Sequence, residues 1–400
     1  MLSARGLPRN LALPLTQITH HDLDGYGAAT VVGALRAQDR IVHVPRYADV
    51  GPVVEAELKR LDRAAEPELL LLTDLGLEAV AVKFIRSFAA MNRRRGEGRQ
   101  HRLVVLDHHA SSIDQLREGG LAPQPDPERA GLSRFDLGDP AIAVLIDENA
   151  CATRMARDHR GLYAEAGAPE PGPDLEALVE AVDALDLWQK ARPAFPGGLA
   201  LDEIFWDNVS TLVPVGHPWH DRFVCALLLA AAGRLRAGAS PAEIEAQVGA
   251  LRLGIVNTLM ADEPDDDPRL TTRMRVARAL ARSDALFQPL SDGTLLSFGL
   301  DSGTYQRVSD LVMAAGRASR LVNVQRVGTL SFRSNDGTAL AGARLFRGGG
   351  HRDAAGGKLQ SGAAFSLADA LAQVEPVLNP PPPDPAASPF AALRNWKGAS

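Results

Sequence analysis

The chain is 400 residues long, with a formal net charge of −6 and an apolar share of 46%. That length exceeds one ordinary core and predicts two domains. The sequence has no run of about 18 apolar residues that could cross a bilayer. Its negative balance argues against avid binding of long duplex nucleic acid, which draws its affinity from many phosphate-neutralising Lys and Arg.

The N-terminal stretch "MLSARGLPRNLALPL" is faintly basic and apolar. Pro8 and Pro14 interrupt it and no small-residue cleavage site follows, so no signal peptide is expected. Next, short apolar runs alternate with stretches rich in Ala, Glu and Arg. The runs "LLLLTD" (69–74) and "HRLVVLDHH" (101–109) read as strands, and 27–38, 52–64 and 77–92 read as helices. Apolar runs without alternation suit parallel strands buried on both faces, and functional groups gather at the carboxyl ends of such strands. Here Asp and His stand at that end each time. Cys151 and Cys225 form neither a CxxC nor a disulfide framework, which predicts a reducing, cytoplasmic setting.

Helical periodicity returns over 174–190, and a long helical region follows from about 219. "SPAEIEAQV" (240–248) is a helix start, with Ser240 as N-cap, Pro241 at N1 and Glu243 closing a capping box. The acidic "ADEPDDDPR" (261–269) lacks the spaced ligands of a calcium loop and reads as a solvated end to the helices. Strands are then predicted at 294–300, 321–325 and 328–333, with a helix at 307–318 and a Gly-rich "FRGGGHRDAAGG" at 346–357. The expected class is α/β. A parallel-sheet domain occupies 1–195, a mostly helical connector 196–285 and a smaller α/β domain 286–378, with a flexible Pro- and Ala-rich tail at 379–400.

The densest chemistry lies in "ITHHDLDGYGAAT" (18–30). An EF-hand would need a bidentate Glu where Val31 stands. A dehalogenase-type phosphatase would want Thr after Gly25, where Tyr26 stands. In an extended segment His20, Asp22 and Asp24 alternate to one side, presenting an imidazole and two carboxylates suited to Mn²⁺ or a similar divalent ion. Asp74 at one strand end and Asp107, His108 and His109 at another offer the same ligand types. A parallel sheet would bring those ends together.

"HHDLDG", the strand-end Asp74 and "LDHHAS" resemble the first three motifs of the DHH phosphoesterases. "DENACATRMAR" (147–157) resembles the small-residue helix of that family, and "AVDALDLW" (181–188) its fourth motif. "LSFRSND" (330–336) and "RGGGHRDAAGG" (347–357) resemble the associated DHHA1 domain. The form of the fourth motif and the length lean toward NrnB-like oligoribonucleases. The resemblance implies two divalent ions, usually Mn²⁺. His20, Asp22 and Asp74 would hold one, and Asp24, Asp74, His108 and Asp183 the other. His21 stays open as a rival to His20, and Asp186 as a rival to the preferred Asp183. Asp107 would fix an imidazole, and His109 would face the substrate phosphate.

The resemblance further implies substrate contacts from Arg333, Ser334, Gly349, Gly350 and His351. Gly348, Gly349 and Gly350 let a backbone approach an anion. Arg344, Arg347, Arg352 and Lys358 add a basic patch. Hydrolysis of short single-stranded oligonucleotides to nucleoside 5′-monophosphates is the implied activity. Linear or cyclic dinucleotides and 3′-phosphoadenosine 5′-phosphate are alternative substrates, and a non-catalytic nucleotide sensor is the alternative from another class. No membrane partner is expected, and a homodimer is left open.

Overall fold

The computed structural model describes residues 13–381 except Glu97, Ala166, Asp262 and Phe365. The N-terminal stretch through residue 12 and the tail beyond 381, expected to be flexible, lie outside the described residues. The chain divides into two compact units. One runs through Ser210 and includes Trp219–Leu259; the other comprises Thr211–Pro218 and the chain from Met260 on.

The first unit contains, in order, β1 (Leu15–His20), α1 (Leu23–Leu35), β2 (Arg40–Val44), α2 (Tyr47–Arg63), β3 (Leu69–Thr73), α3 (Ala79–Arg95), β4 (Arg102–Asp107) and α4 (Ala110–Glu118). It continues with β5 (Pro123–Pro125), β6 (Leu132–Phe135), β7 (Ile142–Asp147), α5 (Ala152–Asp158), α6 (Pro173–Asp186), α7 (Phe195–Asn208), α8 (His220–Arg236) and α9 (Pro241–Met260). The sheet order is β2-β1-β3-β4-β7-β6-β5. Strands β2, β1, β3, β4 and β7 are mutually parallel, and β6 and β5 return antiparallel. The sheet is therefore mixed rather than wholly parallel, because β5, β6 and β7 follow one another by short connections that cannot hold a crossover. Strand β3 is buried at every residue and packs in a core with Ile18, Val105, Phe84, Ile85 and Phe88.

Helix α1 starts four residues earlier than 27–38 predicts. Asp22 is its N-cap, accepting from the Gly25 N–H at 2.9 Å, and this brings the helix hard against the end of β1. A Cβ on Gly25 would lie 2.1 Å from the His20 carbonyl oxygen, so only glycine lets the helix begin there. The capping box at α9 forms as predicted, with the Ser240 N–H donating to Glu243 at 2.7 Å.

The predicted helical connector is not a separate body: α7, α8 and α9 through Leu259 belong to the first unit, and α10 (Thr272–Arg282) to the second. The acidic loop before α10 is not simply solvated either. Asp265 is buried and pairs with Arg278 at 3.0 Å, tying the loop to that helix.

The second unit adds β8 (Gln288–Pro289), β9 (Leu295–Phe298), α11 (Ser302–Ala314), β10 (Arg320–Val324), β11 (Thr329–Ser334), α12 (Ala339–Leu345), β12 (Gly349–Gly350), β13 (Ala354–Lys358) and α13 (Leu367–Leu378). Its sheet order is β12-β13-β11-β10-β9-β8, and the parallel pair β9 and β10 is joined by the crossover helix α11. Leu296, Phe298, Val322, Leu330, Phe332 and Val374 are part of its core. No helix among the described residues is long and apolar enough to cross a membrane.

Candidate metal centre

The carboxyl ends of β1, β3 and β4 adjoin in the sheet, and each delivers acidic or imidazole side chains. From β1 and the start of α1 come His20, Asp22 and Asp24. Asp74 follows β3, while Asp107, His108 and His109 close β4. Among the described residues three groups of potential ligand atoms lie within 4.8 Å of one another: His20, Asp22 and Asp74; Asp74, His108 and His109; and Asp24, His108 and Asp186. Asp74 and His108 are each shared by two groups, so the three form one continuous cluster.

His20 Nδ1 stands 2.5 Å from Asp22 Oδ2 and 4.0 Å from Asp74 Oδ2. His108 Nε2 is 3.3 Å from Asp74 Oδ1 and 3.6 Å from Asp24 Oδ2, and its Nδ1 is 3.6 Å from Asp186 Oδ2. Asp24 is anchored from behind: its two oxygens accept the N–H groups of Ala152 and Thr153 at 2.7 and 2.8 Å, at the start of α5. The close approach of α1 and α5 explains the small residues there, since a Cβ on Gly27 would meet the Thr153 hydroxyl at 2.2 Å.

The electrostatics of the cluster are compatible with a bound cation. Asp74 is buried, and burial followed by the charges of Asp22, Asp24 and Asp186 pushes its carboxyl well above the usual range. Its Oδ2 is buried and accepts no hydrogen bond. Asp186 is pushed up to about 8, first by burial and then by the charges of Asp24 and Asp22. At Asp22 burial also opposes ionisation, but the hydrogen bond and charge of His20 outweigh it, and the carboxyl falls to about 2. Asp74 also adopts a φ of 56°, sparsely populated for a residue other than glycine though tolerated by Asp. Carboxylates crowded this way around imidazoles suit divalent ions, and the N/O donor set suits Mn²⁺ or a similar metal.

The members of the two pairs left open by the sequence are placed differently. His20 faces the cluster, whereas His21 turns away, its Nδ1 3.2 Å from the Tyr26 hydroxyl and its ring edge-on to Phe205. Asp183, preferred over Asp186, points elsewhere. It is fully buried, accepts the Cys151 N–H at 3.0 Å and Arg154 Nη1 at 2.8 Å, and also pairs with Arg192. Burial opposes its charge, yet these bonds hold its carboxyl below the usual range. Asp186, one helical turn on, occupies the position expected of Asp183. Both lie on α6, and only the packing of that helix decides which faces the strand ends.

Asp107 is buried beneath the cluster. Its Oδ1 lies 2.7 Å from His109 Nδ1, and its Oδ2 accepts the Ser112 hydroxyl. At His109 burial disfavours the charged ring, but the Asp107 bond and charge prevail and raise the imidazole above its ordinary value. Tyr47 was not singled out from the sequence. Its hydroxyl lies 3.2 Å from His109 Nε2, and its ring stacks on His20 with centroids 5.0 Å apart and planes 17° apart. Its position three residues beyond the end of the parallel strand β2 was the available signal.

In the second unit Arg333 lines a cavity of about 660 Å³ with Arg273, Arg307 and Gln306. Asp310 contributes one negative charge to the same wall. Gly349, Gly350 and His351 are exposed on the β12–β13 hairpin, outside that lining. A Cβ on Gly348 would lie 1.9 Å from the Gly356 carbonyl, a packing reason for that glycine, whereas one on Gly349 would meet only open space. Ser334 is placed beside the start of α12. It is buried, and its hydroxyl accepts the N–H groups of Thr338 and Ala339, both at 3.1 Å, which fixes the start of α12.

No protein-family model matches the sequence, and no curated protein matches it. Solved structures do. An uncharacterized protein from Helicobacter pylori matches with a TM-score of 0.66 at 19% identity, over 92% of this chain and 99% of that one. The DHH domain of a member of a ribosomal-protein family matches with a TM-score of 0.34 at 14% identity, over 92% of this chain and 86% of that one. RecJ from Thermus thermophilus, solved in complex with Mn²⁺, matches with a TM-score of 0.28 at 18% identity, over 91% of this chain and 52% of that one. The chain shares its fold with the Helicobacter protein.

Proposed function

We propose that this chain is a metal-dependent phosphodiesterase that hydrolyses short single-stranded oligonucleotides to nucleoside 5′-monophosphates. The observation that carries the reading is the continuous cluster of His20, Asp22, Asp24, Asp74, His108 and Asp186, in which Asp74 and His108 each join two groups. Oxygen- and nitrogen-bearing side chains around one buried, unbonded Asp74 oxygen fit a pair of divalent ions, of which Mn²⁺ is the expected one. Such ions supply an activated water and neutralise the phosphoryl charge that otherwise repels it.

The chain's own residues do the rest. Asp24 is held rigid by two backbone N–H groups, so its carboxylate is oriented before any ligand arrives. Asp107 holds His109 by Nδ1, so Nε2, which meets the Tyr47 hydroxyl at 3.2 Å, is the ring nitrogen on the side where a phosphoryl oxygen would bind. Burial of Asp74 and Asp107 excludes water from beneath the reacting group. In the second unit the guanidinium of Arg333 and the exposed Gly349, Gly350 and His351 are donors of the kind that bind phosphate. A short substrate follows from the negative net charge and the modest number of such donors.

The test is a product assay with Mn²⁺ over RNA and DNA of about two to twenty nucleotides, with cyclic dinucleotides and 3′-phosphoadenosine 5′-phosphate alongside. Preference for lengths of about two to five, with nucleoside 5′-monophosphates as product, supports the reading. Processive degradation of long DNA, or no hydrolysis of any of these, overturns it.

A further inference from the structure

Trp188 breaks a local rule. It follows the last turn of α6 in a left-handed conformation, with φ at 54°. Its N–H donates to the Leu185 carbonyl at 2.8 Å, and the Gln189 N–H donates to the Ala184 carbonyl at 2.8 Å. That pair of bonds is a Schellman ending, in which the left-handed residue is usually glycine because a side chain there is strained. A tryptophan is among the least favourable choices for that backbone, and nothing in the capping itself asks for an indole.

The side chain is not buried in compensation. Trp188 is 60% exposed, touching Phe195 edge-on with centroids 5.4 Å apart, and the Lys190 ammonium lies 4.8 Å from the ring centroid. Lys190 forms no ion pair among the described residues. The placement is informative: Trp188 lies two residues beyond Asp186, so their Cα atoms are no more than about 7.6 Å apart. Strain retained beside a reactive cluster points from the outlier to a function.

We propose that Trp188 is a base-stacking platform for the nucleotide next to the scissile phosphate, with Lys190 as the cation that meets that nucleotide's own phosphate. The inference rests on the phosphodiesterase reading and supplies what the sequence could not assign, an aromatic group for base recognition. An indole face is sequence-tolerant, because every base has a π-face. The cation over the ring marks an electron-rich surface that a base can occupy while the ammonium moves to an anion.

The experiment compares Trp188→Gly, Trp188→Tyr and Trp206→Ala in the full chain with Mn²⁺. Three readouts are taken: thermal midpoint, KM for a dinucleotide, and fluorescence quenching of 2-aminopurine riboside 5′-monophosphate, a probe that needs no turnover. The expected result is that Trp188→Gly keeps or raises the midpoint, since glycine relieves the left-handed strain, while KM rises ~10-fold or more and quenching is lost. Trp188→Tyr should restore most of both, and Trp206→Ala should change neither.

A lowered midpoint with KM and quenching unchanged would make Trp188 only a packing partner of Phe195, and loss of quenching in Trp206→Ala instead would place the platform elsewhere. Either result overturns the proposal, as does an unquenched wild type. The two readings fail separately. Quenching that depends on Trp188 without hydrolysis of any substrate removes the phosphodiesterase and leaves the platform. Hydrolysis with an unchanged KM in Trp188→Gly removes the platform and leaves the enzyme.

Discussion

Asp186 and Asp183 sit one turn apart on α6 and face opposite chemistry. Asp186 Oδ2 stands 3.6 Å from His108 Nδ1, whereas Asp183 Oδ2 lies 2.8 Å from Arg154 Nη1. One carboxylate joins a cluster short of positive charge; the other is already neutralised by the guanidinium groups of Arg154 and Arg192.

Substitution should therefore separate them. Asp186→Ala is expected to reduce Mn²⁺-dependent hydrolysis by about 100-fold or more while leaving the metal-free thermal midpoint unchanged or higher, because a crowded carboxylate is removed. Asp183→Ala is expected to cost about 2 kcal/mol of stability, because it strips Arg154, Arg192 and the Cys151 N–H of a buried acceptor. Parallel thermal unfolding and initial-rate measurements check both. Equal activity loss with no stability change in Asp183→Ala would contradict the division of roles.

The metal-free protein should become less stable as pH rises from about 4 to about 8. Asp186 is raised from the ordinary 3.8 to about 8 and Asp74 is raised as well, so in this window these carboxyls bind more protons in the folded state than in the unfolded state, outweighing the buried His101 and His159, whose lowered imidazoles act the other way. Stability then falls with increasing pH, and the raised imidazole of His109 acts in the same direction. Divalent ions require the deprotonated ligands, so Mn²⁺ should reverse the trend, bind more tightly at higher pH and release protons on binding. Unfolding midpoints across pH with EDTA or Mn²⁺, and titration calorimetry in buffers of different ionisation heat, measure each sign. A flat metal-free profile would refute the cluster electrostatics.

Tyr47 bridges two strand ends of the cluster, stacking on His20 and meeting His109 Nε2. Tyr47→Phe keeps the stack and deletes the hydroxyl, so kcat should fall by roughly 10-fold with little change in KM, a modest share of what a positioned acid–base group contributes. Gly76→Ala should affect the same ring, since a Cβ there would lie 2.9 Å from Tyr47 Cε1 at a φ of 51°. If both variants behave as wild type in steady-state kinetics, Tyr47 has no positioning role.

Arg307 and Arg333 line one cavity and form no ion pair among the described residues. Replacing either with Ala should raise KM for a 5′-phosphorylated dinucleotide by about 10-fold at unchanged kcat and flatten its dependence on salt, as expected when one phosphate contact is lost. Unchanged KM in both variants would show that this wall does not meet substrate.

Much of this protein is determined by the sequence alone. Apolar runs ending in Asp or His at 69–74 and 101–109 are enough to predict strands whose carboxyl ends carry chemistry, because a strand buried on both faces has no other place for charge. The capping box at Ser240 is likewise local, set by neighbours within one helical turn, whereas Gly27 answers to Thr153 on the distant α5. Other features depend on partners distant in the chain. Whether Asp183 or Asp186 faces His108 follows from how α6 packs, and a helix turn of about 3.6 residues leaves both on nearly one face. His20 rather than His21 is selected because β1 pairs with β3 in a fixed register, which turns alternate side chains to opposite sides. The contacts of Ser334 at the start of α12 and of Asp265 with α10 depend on which backbone groups and charges tertiary folding leaves to be satisfied. Sequence determined which ligand types are present; the tertiary structure decided which of them meet.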